Sequence, residues 1–80
     1  MKSIDIQYYA ILREKSGLSH ETLQTSASTA TQLYQELQKR FGFSLPINVV
    51  KVAINNEFAA WNTEIRPGDK VAFIPPVAGG

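Results

Sequence analysis

Thr29-Ala30-Thr31-Gln32-Leu33-Tyr34-Gln35-Glu36-Leu37-Gln38-Lys39-Arg40-Phe41-Gly42 is the stretch that decides the fold. Thr29 and Gln32 stand at the spacing of a capping box, in which two side chains satisfy backbone N–H groups left free at the start of a helix. Ala30, Leu33, Leu37 and Phe41 then recur at helical intervals and form one apolar stripe. Lys39 and Arg40 fall in the last turn, where positive charge complements the helix dipole. Gly42 follows as a residue suited to closing the helix in the left-handed conformation. The pattern predicts one main helix from Thr29 to Phe41, and a helix with a single apolar stripe must bury it against another element.

Outward from that helix the periodicity changes to two. Ile4, Ile6 and Tyr8 alternate with Asp5, Gln7 and Tyr9, which predicts a half-buried strand from Ile4 to Tyr9. Ala10 to Ser16 is too polar for a second buried strand and ends at Gly17, so it reads as a short helical or turn segment. Glu21 to Ser26 reads as a second strand, antiparallel to the first. Beyond the helix, Phe43 to Asn48 is a connecting loop interrupted by Pro46, and Val49 to Ile54 is a third strand. Val50, Val52 and Ile54 face the core, and Lys51 faces outward.

Asn55-Asn56 supplies turn chemistry, and a short stretch around Glu57-Phe58-Ala59 precedes an irregular segment from Ala60 to Glu64. Arg66-Pro67-Gly68-Asp69 carries proline and glycine at the central positions of a type II turn. That turn launches a last strand, Lys70 to Ile74, with Val71 and Phe73 on one face and Ala72 and Ile74 on the other. The order predicts an α+β domain, a mixed sheet with the main helix packed across one face. If the first and last strands are neighbours, Tyr9 and Ile74 share the uncovered face, with Phe58 as an addition. A contiguous apolar patch there would mark a binding surface.

The 80 residues suit one small-cored domain, and its eight basic and seven acidic side chains leave a net charge of +1. The charges are scattered, which argues against nucleic acid or an anionic membrane as partner. No cysteine is present, so a disulfide framework, a thiolate metal site and a catalytic thiol are excluded. No second ligand stands at metal spacing from His20, which is expected in a loop. Trp61 is expected to anchor the irregular segment, Glu57 and Asp69 are surface and turn acids, and no acid/base pair suggests catalysis within the chain. The start of the sequence lacks the apolar run of a signal peptide, which makes the cytoplasm the expected compartment.

The sequence ends on Pro75-Pro76-Val77-Ala78-Gly79-Gly80. Two prolines hold a chain extended and donate no backbone hydrogen bond, and glycine has no Cβ to obstruct a narrow channel. Residues 1–74 therefore form the expected domain and residues 75–80 an extended tail. Fully extended, the tail reaches about 20 Å at roughly 3.3–3.6 Å per residue. With no cysteine available, a reactive acyl or sulfur group would have to be carried at the terminal carboxylate.

Tyr8-Tyr9-Ala10-Ile11-Leu12-Arg13-Glu14, Val52-Ala53-Ile54-Asn55-Asn56, Pro67-Gly68-Asp69-Lys70-Val71-Ala72 and the Pro-Pro-Val-Ala-Gly-Gly end together resemble the small subunits of molybdopterin synthase. The resemblance covers nearly the whole chain and implies the ubiquitin-like β-grasp fold. It further implies a non-catalytic sulfur carrier with no bound cofactor, whose Gly80 is the reacting residue. An E1-like adenylating enzyme would use ATP to form an acyl-adenylate on Gly80, and a sulfur donor protein would convert it to a thiocarboxylate. The tail would then enter the large subunit, in a complex of two small and two large subunits, to supply dithiolene sulfur for the molybdenum cofactor.

Position by position, the family's partner-facing groups fall on Tyr9, Arg13, Phe58 and Ile74, and the family often has phenylalanine where Tyr9 and Ile74 stand. Three alternatives keep the same tail or fold: a sulfur carrier for the thiamine thiazole, a protein modifier joined through Gly80 to a lysine, and an interaction domain with an inert tail.

Overall fold

The alternation at Ile4, Ile6 and Tyr8 produces β1 (Lys2–Tyr8), whose three inward side chains are almost completely buried. The computed structural model describes residues 1–76. After β1 come α1 (Ala10–Ser16), β2 (His20–Thr25), α2 (Ala30–Phe41), a 3-10 turn (Ile47–Val49), β3 (Lys51–Ile54), β4 (Glu57–Ala59) and β5 (Lys70–Ile74). The strands form one sheet in the order β2-β1-β5-β3-β4. β1 and β5 are parallel neighbours, with Ile6 opposite Val71 and Tyr8 opposite Phe73, and the remaining pairs are antiparallel. Parallel neighbours need a long crossover, and the chain between them supplies α2.

Ala30, Leu33, Tyr34 and Leu37 of α2 are buried in one cluster with Ile4, Ile6, Tyr8, Val52, Val71 and Phe73 of the sheet. Tyr34 lies at its centre, 5.2 Å from the ring of Phe73 and 5.4 Å from that of Trp61, and its hydroxyl donates to the Leu45 carbonyl at 2.8 Å. Trp61 stacks on Phe73 at 5.9 Å and donates its indole N–H to the Val50 carbonyl at 3.2 Å. The irregular segment is thus pinned to the core by its tryptophan, as expected.

Thr29 Oγ1 accepts from the Gln32 N–H at 3.3 Å. Gln32 Oε1 accepts from Ser28 at 2.7 Å, one residue earlier than a standard box, while the Ala30 N–H is taken by Thr63. Gly42 closes α2 at φ 72°, donating to the Gln38 carbonyl at 2.8 Å. Thr29→Ala is expected to cost about 1 kcal/mol, the usual worth of such a cap, measured as a lower midpoint in urea at unchanged slope.

Several boundaries differ from the sequence reading. β1 stops at Tyr8 and Tyr9 caps α1, because the chain reverses there into a helix closed by Gly17 at φ 76°. The segment 10–16 is a helix, with Leu12 buried as its anchor. His20 is the first residue of β2, opposite Gln7, and is not in a loop. β3 starts at Lys51, not at Val49, because Pro46 opens a 3-10 turn in which Val49 donates to Pro46 and Val50 to Ile47. Ile54 is only partly buried, packed against the margin of the core. The turn at 66–69 forms as read, with Gly68 at φ 86° and the Asp69 N–H returning to the Arg66 carbonyl.

On the helix side, the Tyr8 hydroxyl donates to Glu21 at 2.5 Å, and Arg40 donates to both oxygens of that carboxylate at 3.0 and 3.1 Å. The network ties β1, β2 and α2 together. Burial, with the Glu21 carboxylate adding to it, pushes the Tyr8 hydroxyl far above the ordinary tyrosine range, and burial raises Tyr34 as well. In the unfolded chain both titrate near about 10. Below that pH these two hydroxyls are protonated in both states. Above it the unfolded chain loses protons that the folded one keeps, so stability falls as pH rises. Urea midpoints measured at about pH 9 and about pH 11 should show this fall, and Tyr8→Phe should reduce it.

Candidate docking face and tail root

The period of a strand puts every second side chain on the face opposite α2. Register sets Gln7, Ala72, Ala53 and Phe58 side by side across β1, β5, β3 and β4. Two alanines in the middle leave a shallow floor, and the aromatic ring at the edge makes a wall. The result is a groove lined by Gln7, Tyr9, Ala53, Asn56, Phe58, Lys70, Ala72 and Ile74. Phe58 is 74% exposed and Tyr9 45% exposed, large values for aromatic side chains. The Tyr9 hydroxyl donates to Gln7 Oε1 at 3.0 Å, which holds the ring at the groove's other end.

Phe58 reaches this face through the hairpin before it. Asn55 and Asn56 both have positive φ, 54° and 72°, the pattern of a two-residue hairpin loop whose twist suits flanking strands. Asn55 also ties the hairpin to β5: its Oδ1 accepts from the Lys70 N–H and its Nδ2 donates to Asp69, each at 3.0 Å. Asp69 in turn accepts from the Arg66 N–H at 2.8 Å. The turn acid therefore fixes two loops at the end of the groove.

A second apolar groove adjoins the first, lined by Tyr9, Ala10, Ile11, Glu14, Ile74, Pro75 and Pro76. Tyr9 and Ile74 belong to both. Pro75 is buried and Pro76 exposed, so the chain leaves the sheet along this groove.

The structure thus brings together three of the four residues expected to face a partner: Tyr9, Phe58 and Ile74. Arg13, the fourth, is exposed on α1, lines neither groove, and makes no side-chain hydrogen bond or ion pair among the described residues. Val77, Ala78, Gly79 and Gly80 lie outside the described residues. Sequence reasoning missed Ala53 as the floor and Ile11, 41% exposed, as a wall of the second groove. Alternation along β5 placed Ala72 on this face, but a small residue gives no sign that its role is to leave space. Among the described residues no three His, Cys, Asp or Glu side chains converge as a metal site, and no helix is long and apolar enough to cross a membrane.

A mixed sheet crossed on one face by a helix, with its central strands parallel, defines a ubiquitin-like β-grasp protein. The chain belongs to the ThiS family, whose model matches residues 6–80. A human relative named molybdopterin synthase sulfur carrier subunit is 29% identical, with 96% of this chain and 93% of the relative aligned. Among solved structures, small archaeal modifier protein 1 from Haloferax volcanii superposes with a TM-score of 0.81 at 21% identity, over 96% of this chain and 100% of that one. A chain from the complex of subunits 1 and 2 of the molybdopterin-converting factor from Helicobacter pylori gives a TM-score of 0.67 at 23% identity, over 98% of this chain and 99% of that one.

Proposed function

We propose that this chain is the sulfur-carrying small subunit of molybdopterin synthase. The observation that carries the reading is the near full-length match to relatives of that name at 28–29% identity. An exposed apolar groove at the root of a Pro-Pro-Val-Ala-Gly-Gly end supports it.

The chemistry takes place on Gly80. A carboxylate is a poor electrophile, so an E1-like enzyme first joins it to the α-phosphate of ATP, and pyrophosphate leaves. A persulfide sulfur on a donor protein then attacks the acyl carbon and displaces AMP. A second thiol cleaves the S–S bond, leaving a thiocarboxylate. The uncovered face docks on the large subunit and aims the tail into its pocket, where the sulfur is delivered for the dithiolene. This chain contributes the carrier and the docking surface. Its partners work in the cytoplasm, and the acid/base groups belong to them.

A second reading is a protein modifier, in which the activated Gly80 ends in an amide with a target lysine; the likeness to the archaeal modifier is in its favour. A third is a carrier for the thiamine thiazole. Expression in a strain lacking the molybdopterin synthase small subunit separates them. Restored molybdoenzyme activity is the expected result. Rescue of a thiazole auxotroph alone, or stable adducts of this chain on other proteins, would overturn the leading reading.

A further inference from the structure

The sheet ends on β2 at one side and on β4 at the other. An edge strand presents a row of unpaired backbone groups on which another strand can form, and folds usually blunt such an edge with proline, lysine or sheer shortness. β4 has only three residues. β2 has six, His20-Glu21-Thr22-Leu23-Gln24-Thr25, with no proline, lysine or glycine among them. Its one carboxylate, Glu21, is already matched by Arg40 at 3.0 Å.

The phase of the β1–β2 ladder decides which backbone groups are free. The Tyr8 N–H donates to the Ser19 carbonyl at 2.9 Å, in line with the register that sets Ile6 opposite Glu21, Ile4 opposite Leu23 and Lys2 opposite Thr25. Hydrogen-bonded and non-hydrogen-bonded pairs alternate in an antiparallel ladder, so Glu21, Leu23 and Thr25 turn their N–H and C=O groups toward β1. His20, Thr22 and Gln24 turn theirs outward, and all three residues are exposed.

We propose that β2 pairs antiparallel with β2 of a second copy of this chain, about a two-fold axis through Thr22. This register sets Thr22 against its own counterpart and His20 against Gln24, so every outward N–H and C=O of the three residues finds a partner. It opposes Glu21 to Leu23, whereas a register centred on Glu21 would oppose two carboxylates, which is destabilising. The edge is thus complementary to itself. The axis stands perpendicular to the joined sheet, so both α2 helices lie on one face and both docking faces on the other. Neither groove includes a β2 residue, and pairing leaves both open.

A contact made along one edge is smaller than the roughly 1,200 Å² of stable complexes. The dimer is therefore expected to be populated at about 1 mM chain and to dissociate at about 10 μM. Sedimentation equilibrium of the full chain tests this: at the higher concentration the mass should approach twice that of one chain. Thr22→Lys places like charges opposite each other at the axis and should remain monomeric there, with a melting temperature within about 4 °C of the original.

Because the chain has no cysteine, single thiols report the register. In Thr22→Cys the two introduced residues lie about 5.5 Å apart between Cα atoms, within disulfide reach, and the chains should cross-link under mild oxidation. In Gln24→Cys they lie about 14 Å apart, four residues out of step at roughly 3.4 Å each, and should not. An unsubstituted chain that stays monomeric at about 1 mM overturns the proposal and leaves the edge to an extended segment of a different protein. A dimer that persists in Thr22→Lys, or Gln24→Cys cross-linking as fast as Thr22→Cys, overturns it as well.

Discussion

Phe58→Asp is expected to weaken binding to the molybdopterin synthase large subunit by at least about 100-fold while leaving the fold in place. The side chain is 74% exposed and lies on the short edge strand β4, so the folded chain loses little internal packing. Surface changes of this kind usually fall within about 0.5 kcal/mol. In the complex the same position would be an aromatic wall seated against a partner, the sort of residue that dominates interface energy at roughly 2–4 kcal/mol. Aspartate removes that contact and leaves a carboxylate to be desolvated without a partner. Calorimetric titration, with circular dichroism as a check on folding, measures both quantities. Binding within a few-fold of the original would remove the uncovered face from the account.

Deleting Gly80 is expected to abolish sulfur transfer completely, with melting temperature unchanged and docking affinity within about threefold. The carrier chemistry needs a carboxylate at the end of a thin, extended chain of definite reach. Removing one residue shortens that reach by roughly 3.3–3.6 Å, more than the tolerance of a reaction whose atoms must approach to about 3–3.5 Å. A new terminal carboxylate on Gly79 would therefore fall short of both the adenylating and the accepting site. No cysteine is available to take over. Docking survives because the grooves are built by residues from Gln7 to Pro76. An inert tail would instead leave transfer unaffected by the deletion.

Both experiments concern features that the sequence revealed to different degrees. The main helix was legible because three independent signals agree on it: the Thr29 cap, the apolar stripe and Gly42. Tyr9 and Ile74 were placed on one face by strand alternation, given adjacent first and last strands, and the parallel pairing of β1 with β5 meets that condition. Phe58 was harder, since its face depends on the register of a hairpin, which follows from two asparagines both taking positive φ.

The start of β3 was misread because Pro46 sets off a 3-10 turn that periodicity does not register. The groove floor was hidden because alanine shows no preference for lining a depression. The positive φ of Ala10, 50°, left no trace in the sequence, because nothing in an alanine announces a backbone conformation that glycine would adopt more readily.

The central claim is that Gly80 carries sulfur, and the intact mass of the protein tests it most directly. The full chain and a variant lacking Gly80 are incubated with the adenylating enzyme, ATP and a sulfur donor. The account predicts a mass gain equal to exchange of one oxygen for one sulfur, seen only with the complete tail. No gain on the full chain, with an adenylating enzyme shown to be active on another carrier, would contradict it.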